Sequence, residues 1–305
     1  MSYMTNFLLS VVGPTAVGKT ALSITLAKHF QTEIISADSR QFFKEMRIGT
    51  AVPGEEDLTV VNHHFIQHKS IHDEYNVGAF EQDTLAVLRT LYKNLDVVIM
   101  VGGSGLYLKA ITDGLDDFPD IDPDIREVLN TRLKKEGLKA LQDELHVRDP
   151  LSYSTIAIDN PHRVIRALEI CIGTDKPYSS FLNAPKAKRN FKTLTIGLTA
   201  NRDIIYNRIN DRVDQMIKEG LIEEARSLLP FKHLNALNTV GYKELFKYFN
   251  KECNLEFAVS EIKKNSRRFA KRQLTWFRKD ESIKWFDFED DPNQIIQYIN
   301  SNITS

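Results

Sequence analysis

The sequence has little of what a secreted, disulfide-bonded or membrane-spanning protein requires. Only two of its 305 residues are cysteines, Cys171 and Cys253, and neither has a CxxC spacing. A disulfide framework or structural zinc site is therefore not expected. The first apolar run, Phe7 to Val12, has no basic segment before it and is too short for a signal peptide or a membrane span. We expect a cytoplasmic protein that has no membrane partner.

Net charge is also nearly absent, since 40 Lys and Arg residues balance 41 Asp and Glu residues. An even distribution would argue against a nucleic-acid partner, but the distribution is uneven. The segment from Ile262 to Lys279 contains eight basic residues and no acid. A solvated helix normally intersperses both signs, so this segment predicts a surface for a phosphate backbone.

A helical wheel of this segment separates charge from apolar side chains. The basic face comprises Lys264, Arg267, Arg268, Lys271, Arg272, Arg278 and Lys279, and the opposite face comprises Ile262, Phe269, Ala270, Trp276 and Phe277. Trp276 lies near the border. Packing in the core is the expected role of its ring, and stacking on an RNA base is the alternative.

The clearest motif is a glycine-rich loop between a predicted strand, Phe7 to Val12, and a predicted helix, Lys19 to Phe30. The residues that fit GxxxxGK[ST] are Gly13, Pro14, Thr15, Ala16, Val17, Gly18, Lys19 and Thr20. Backbone N–H groups and the helix dipole of such a loop bind phosphate, with Lys19 adding charge and the Thr20 hydroxyl binding Mg²⁺. A chance match in a structural turn is the alternative.

Alternating strands and helices predict an α/β fold, with a P-loop nucleoside-triphosphate-hydrolase-like parallel sheet flanked by helices. Further strands are predicted at Glu33 to Ser36, Asp96 to Val101 and Thr193 to Leu198. Residues 116–186 contain helical segments without a convincing strand. We expect them to form a helical insertion domain in a core of residues 1–115 and 187–305.

Two charged residues are candidates for the chemistry. Asp38 follows the second strand, at the sheet edge where open α/β folds bind ligands, so it is a candidate general base; a helix N-cap is the alternative. Arg212 lies at the edge of the apolar stripe of a predicted helix, Arg202 to Glu219, and there it needs an anion or a core-edge carboxylate. In P-loop ATPases an acid after such a strand holds Mg²⁺. The predicted strand Asp96 to Val101 is followed by glycines instead, which argues against an ATPase motor. His63, His64, His68 and His72 are expected to be structural.

Five segments, in this order along nearly the whole chain, resemble the tRNA dimethylallyltransferase family. They are Gly13 to Thr20, Ser36 to Gln41, Gly102 to Tyr107, Arg163 to Glu169 and Lys271 to Arg278. The resemblance implies transfer of a dimethylallyl group from dimethylallyl diphosphate to N6 of the adenosine 3′-adjacent to the anticodon, in tRNAs that read codons beginning with U. Diphosphate is the leaving group, and Mg²⁺ bound by Thr20 is the implied cofactor.

The resemblance also implies roles for individual residues. Asp38, Thr20, Lys19 and Arg212 would be catalytic, with Asp38 as the base and Arg212 on the diphosphate. Ser104 stands where the family commonly has Thr, and His162 where it usually has Gln. The implied contacts with the tRNA anticodon stem-loop are Asp38, Ser39, Arg40, Gln41, Ser104, Arg126, His162, Arg163, Val164, Ile165, Arg166, Asn238, Thr239, Val240, Gly241, Tyr242, Lys243, Lys271, Arg272, Gln273, Trp276 and Arg278. We expect a monomer.

Three other functions share these features. An adenylate isopentenyltransferase would prenylate a free nucleotide and would not need the basic segment. A P-loop small-molecule kinase also pairs a phosphate loop with an acid after the second strand. A non-enzymatic RNA-binding protein could retain the loop as a scaffold.

Overall fold

The computed structural model describes residues 6–182 and 188–303. The chain divides into two compact units, Met1–Asp113 with Arg189–Ser305, here called the core unit, and Gly114–Lys188, here called the insertion unit. The sequence predicts the first boundary between residues 115 and 116. The second predicted boundary, between 186 and 187, lies outside the described residues.

A six-stranded parallel sheet forms the centre of the core unit. The strands are β1 (Phe7–Val12), β2 (Ile34–Ser36), β3 (His63–His64), β4 (Val97–Val101), β5 (Lys192–Thr199) and β6 (Lys284–Asp287). Their order is β3-β2-β4-β1-β5-β6, and every neighbouring pair is parallel. The predicted α/β fold with a parallel sheet is confirmed.

The described residues also form α-helices. They are α1 (Lys19–Phe30), α2 (Glu55–Val60), α3 (Val77–Leu91), α4 (Gly105–Thr112), α5 (Pro123–Arg148), α6 (Pro150–Thr155), α7 (Pro161–Thr174), α8 (Arg202–Lys218), α9 (Leu221–Leu228), α10 (Tyr242–Phe249), α11 (Leu255–Phe277) and α12 (Pro292–Ile303). Helices α5 to α7 belong to the insertion unit. Within the described ranges, no helix is both long and apolar enough to cross a membrane.

Strand β1 shows why the sheet is buried on both faces. Its residues are all buried; Leu8 and Val12 belong to one apolar cluster, and Phe7, Leu9 and Val11 to another. Successive side chains point to opposite faces of a strand, so a continuous apolar run supplies both clusters. This run therefore fixes β1 in the interior of the sheet.

The register of the central strands positions the loops that follow them. Val101 of β4 is paired with Val11 of β1 and with Ser36 of β2. Because the strands are parallel, their carboxyl ends lie at one edge of the sheet. The loops after β1, β2 and β4 therefore meet there.

The insertion unit has its own apolar core. Leu129, Leu141 and Leu145 of α5 pack with Val164 and Leu168 of α7, all of them buried. Helix α5 is interrupted at Gly137, whose φ of 81° lies outside the helical region. The described residues of the unit form helices joined by loops, with no strand, and they include several of the predicted RNA contacts.

Candidate active site and RNA-binding helix

The phosphate loop follows β1 and leads into α1. Gly13 and Gly18 have φ angles of 143° and 112°, which L side chains rarely adopt. A Cβ added to Gly13 would also lie 2.5 Å from the carbonyl oxygen of Leu198. Both glycines of the motif are therefore required by the backbone, which argues against a chance match in an ordinary turn.

The ammonium group of Lys19 is held inside this loop. Its Nζ donates to the carbonyl oxygens of Gly13 (3.0 Å) and Pro14 (2.7 Å). Burial lowers its pKa to about 8; the nearby charge of Asp38 raises the pKa and that of Arg212 lowers it. An additional anion in the loop would favour the charged form of Lys19.

Helix α8 brings two arginines to the loop. Arg212 donates to Thr15 Oγ1 (3.3 Å) and to the Ala51 carbonyl oxygen (3.5 Å), and burial lowers its pKa. Among the described residues Arg212 forms no ion pair with a carboxylate, so the salt-bridge alternative is not observed. Arg208 donates to the Ala16 carbonyl oxygen (2.7 Å). We did not predict Arg208, although its spacing of four residues from Arg212 places both on one helix face.

Asp38 lies just beyond the carboxyl end of β2. Turns follow it, so the helix N-cap alternative is wrong. Its Oδ1 accepts a hydrogen bond from the backbone N–H of Arg40 (3.0 Å), which orients the carboxylate. Its negative charge raises the pKa values of Lys19, Arg40 and Arg212, each of which is lowered by burial. The charge of Asp38 therefore acts on three cationic side chains.

Hydrogen bonds of the residues after Asp38 connect neighbouring loops. The hydroxyl of Ser104 accepts from the backbone N–H of Ser39 (3.3 Å) and lies 3.3 Å from the Ser39 hydroxyl. The amide nitrogen of Gln41 donates to the carbonyl oxygens of Thr50 (3.1 Å) and Ala51 (2.9 Å). These bonds link the loops after β2 and β4 to the loop that reaches Arg212.

Two cavities open at this sheet edge, and both are lined by the core unit. The first, of about 560 Å³, contains the phosphate loop with Ser36, Asp57, His63 and Arg208. The second, of about 670 Å³, is lined by the loop after β4, by apolar residues of α8 and by α11. Six residues line both cavities: Thr15, Asp38, Thr50, Arg212, Phe269 and Gln273. We call the first the phosphate cavity and the second the acceptor cavity.

Helix α11 contributes to the acceptor cavity and also carries the basic face. Lys264 pairs with Glu261 (2.8 Å), and Lys263 pairs with Asp214 (2.6 Å). The remaining charges toward the end of the helix are exposed and form no ion pair within the described ranges: Arg268, Lys271, Arg272, Arg278 and Lys279. The part of the segment that offers free charge therefore begins at Arg268.

The expected packing of Trp276 in the core was wrong, and Phe269 of the apolar face is exposed as well. The exposed fractions of Phe269 and Trp276 are 40% and 41%, whereas Ile262, Ala270 and Phe277 are buried. The Trp276 ring lies against Gly105, where an added Cβ would be 2.1 Å from its Nε1. Both aromatic residues line the acceptor cavity.

Some predicted RNA contacts have buried side chains. Tyr242 is buried and its hydroxyl donates to Glu224 (2.7 Å), while Val164 and Ile165 belong to the core of the insertion unit. These three side chains are buried because they lie on the inner faces of amphipathic helices, so contact of these positions with RNA stays a prediction that does not rest on their side chains. Gln273 is also buried.

Gly241 is buried as well, whereas several other predicted contacts have accessible side chains. His162, Arg163, Asn238 and Lys243 are exposed. Arg126 is half exposed and pairs with Glu169 (2.5 Å). Contact of these residues with RNA stays a prediction.

The histidines do not form a metal site. Within residues 6–182 and 188–303 no group of three or more His, Cys, Asp and Glu residues could hold a metal ion. His68 packs against Phe42, Phe65 and Tyr75. His63 lines the phosphate cavity, and this position was not predicted.

Comparison with known proteins agrees with this geometry. Residues 41–280 match the family described as IPP transferase. Proteins named tRNA dimethylallyltransferase from Christiangramia forsetii and Flavobacterium johnsoniae are 62% and 55% identical, covering 99% and 98% of this chain and 100% and 99% of their own lengths. The crystal structure of a tRNA isopentenylpyrophosphate transferase from Bacillus halodurans superposes with a TM-score of 0.72 at 38% identity, covering 98% of this chain and 96% of that one. The chain belongs to the IPP transferase family.

Proposed function

We propose that the chain transfers a dimethylallyl group from dimethylallyl diphosphate to N6 of the adenosine 3′-adjacent to the anticodon, in tRNAs that read codons beginning with U. The observation that carries this proposal is the junction of the two cavities. Asp38, Arg212 and Thr15 line both of them. A diphosphate in the phosphate cavity and an adenine in the acceptor cavity would therefore meet beside a carboxylate.

The phosphate cavity suits a diphosphate by its charges. Lys19 and Arg212 lie at the loop itself, and Arg208 lies one helical turn from Arg212. Positive charge fixed where the leaving group becomes more negative stabilises the transition state more than the bound substrate. The three cations would therefore promote departure of diphosphate.

The same cavity has an oxygen-rich corner that fits Mg²⁺. The exposed Thr20 side chain lines it together with Ser36 and Asp38. Mg²⁺ commonly takes few protein ligands and completes its shell with phosphate oxygens and water. We propose that Thr20 holds the ion, which when bound would neutralise charge on the diphosphate.

Asp38 is proposed as the general base. The N6 nitrogen attacks the allylic carbon, the bond from that carbon to the diphosphate oxygen breaks, and its electron pair leaves with the diphosphate. The proton lost from N6 goes to the carboxylate of Asp38. The hydrogen bond from Arg40 to Oδ1 keeps the carboxylate oriented for this transfer.

The exposed end of α11 supports tRNA as the acceptor. Lys271, Arg272 and Arg278 are exposed, and Trp276 lines the acceptor cavity with 41% of its surface exposed. Free adenylate would need no such surface, and the relatives described above are named tRNA dimethylallyltransferase. These observations favour tRNA over a free nucleotide and over a small-molecule kinase substrate. We propose that the reaction takes place in the cytoplasm.

A transfer assay tests the proposal. The purified chain is incubated with Mg²⁺, labelled dimethylallyl diphosphate and an unmodified tRNA transcript, and the digested RNA is analysed for N6-prenylated adenosine. Parallel reactions contain free AMP, or ATP in place of the prenyl donor. Label in tRNA alone supports the proposal, label in AMP supports the nucleotide enzyme, and turnover of ATP supports a kinase.

A further inference from the structure

Gln273 connects the helix that carries the basic face to the phosphate loop. Its exposed fraction is 6%. Its Oε1 accepts a hydrogen bond from the backbone N–H of Thr15 (2.8 Å), and its Nε2 donates to the carbonyl oxygen of Gly103 (3.0 Å). Both polar atoms of the side chain are therefore used inside the protein.

The two loops that Gln273 joins follow neighbouring strands. Thr15 belongs to the loop after β1, and Gly103 to the loop after β4; β1 and β4 are paired directly. The Thr15 N–H points at Gln273, and the Thr15 hydroxyl accepts from Arg212. Backbone N–H groups form an anion site only when successive peptides hold a fixed orientation. The bond to Gln273 fixes one peptide of this loop.

The side chain must be an amide to make both bonds. A carboxamide has an acceptor oxygen and a donor nitrogen, whereas a carboxylate accepts only and would face the Gly103 carbonyl oxygen unfavourably. Because the amide is buried, losing either bond would leave a buried polar group unpaired, which costs free energy.

We propose that Gln273 is a positioning residue, which holds the phosphate loop in the conformation that receives the diphosphate by bridging Thr15 to Gly103. This inference rests on the function proposed above. It replaces the RNA contact that the sequence suggested for Gln273. The helix that presents charge to RNA thereby also fixes the loop that binds the prenyl donor.

Gly103 offers a second way to remove the bridge. A Cβ added there would lie 2.0 Å from Nε2 of Gln273, which is the far end of a side chain and can move. The φ angle of Gly103 is not in the left-handed region, so alanine is compatible with the backbone. The Gly103→Ala substitution should therefore displace the Gln273 amide without altering Gln273 itself.

The test compares Gln273→Met, Gly103→Ala and the double variant with the wild-type chain. Thr275→Ala is the matched control, because Thr275 is exposed on the same helix and its hydroxyl donates to the Lys271 carbonyl oxygen of that helix. Calorimetry measures the Kd for inorganic pyrophosphate, steady-state kinetics gives KM and kcat, and the Thr15 amide proton resonance reports on its hydrogen bond.

We expect the pyrophosphate Kd and the KM for the prenyl donor to rise about tenfold in each single variant, as loss of two neutral hydrogen bonds implies. The Thr15 resonance should move upfield in both. The double variant should be no worse than either single one, since both remove the same bridge. The tRNA Kd should stay within about twofold of wild type.

Unchanged pyrophosphate binding in a folded Gln273→Met or Gly103→Ala variant would overturn the role of Gln273. So would a loss of tRNA affinity with pyrophosphate affinity intact, because Gln273 would then be an RNA contact. If the wild-type chain neither binds pyrophosphate nor transfers the prenyl group, both the proposed function and the role of Gln273 are refuted. Normal wild-type activity beside unaffected variants refutes the bridge alone.

Discussion

The Nζ atom of Lys19 lies 2.7 Å from the carbonyl oxygen of Pro14, so the phosphate loop binds its own cation. Two carbonyl oxygens solvate this ammonium group less well than water does, and its pKa is about 8. A lysine with this pKa is partly neutral at mildly alkaline pH. The charge available for a diphosphate therefore depends on pH.

We predict that the affinity for inorganic pyrophosphate falls as pH rises through about 8, because Lys19 then loses the proton that attracts the anion. Binding above this pH should restore the proton. Calorimetry at pH 8.5 in buffers of different ionisation enthalpy should therefore show more proton uptake for the wild-type chain than for Lys19→Met. Equal uptake in both would contradict the prediction.

The same shift predicts an effect on stability without ligand. Between about pH 8 and pH 10.5 the unfolded chain binds the Lys19 proton and the folded chain does not. The free energy of unfolding contributed by Lys19 therefore rises with pH in this window. Urea titrations should show this rise for the wild-type chain relative to Lys19→Met, and a parallel pH dependence of the two would be inconsistent with a lowered pKa.

For Asp38→Asn we predict a kcat lower by about 10²- to 10⁴-fold, the usual contribution of a general base. The Kd values for tRNA and prenyl donor should change little, because the amide keeps the size of the side chain. Asp57→Asn is the control, since Asp57 lines the phosphate cavity but not the acceptor cavity. An equal loss of kcat in both variants would mean that Asp38 acts through its charge and not as a general base.

Local signals explain why the phosphate loop and the parallel sheet could be predicted. The phosphate-loop motif is complete within Gly13 to Thr20, and the apolar pattern of the first strand is complete within Phe7 to Val12. Each can therefore be recognised from adjacent residues alone. The strands β3 and β6 were missed because two and four residues give no measurable alternation. Edge strands this short are defined by the strand beside them.

Long-range packing explains the errors on α11 and α10. A helical wheel gives the direction of Trp276 but not whether another element covers it. It likewise gives no sign that Tyr242 points at Glu224, a residue 18 positions away. The bridge from Gln273 to Thr15 spans 258 positions, and a glutamine in a basic segment looks like one more surface residue.

Neutralising the end of the basic face should weaken tRNA binding and reduce its salt dependence. For Lys271→Ala combined with Arg272→Ala we predict that the slope of log K against log salt concentration becomes shallower by roughly 0.7 to 0.9 for each RNA phosphate that the variant no longer neutralises. Filter binding between about 50 and 200 mM salt measures the slope. Lys263→Ala is the control, since Lys263 pairs with Asp214. An unchanged slope in the double variant would contradict the proposal that α11 binds the RNA backbone.

Tyr242 and Glu224 stabilise a segment that lines the acceptor cavity. Glu224 accepts from the Tyr242 hydroxyl (2.7 Å) and from the backbone N–H groups of Arg47 (2.9 Å), Ile48 (2.8 Å) and Gly49 (2.9 Å). Gly49 lines the acceptor cavity. Burial raises the pKa of Tyr242 and the adjacent carboxylate raises it further, so the phenol stays protonated and donates to Glu224.

Tyr242→Phe should therefore cost stability and leave RNA affinity intact. Losing a hydrogen bond to a charged acceptor lowers the free energy of unfolding by about 2 kcal/mol, measured by urea titration. The tRNA Kd should match wild type, because the ring is buried and cannot reach RNA. Glu224→Ala should go further, since it also frees the segment at Gly49, and it should raise the KM for tRNA. A weakened tRNA Kd in Tyr242→Phe without loss of stability would restore Tyr242 as a direct RNA contact.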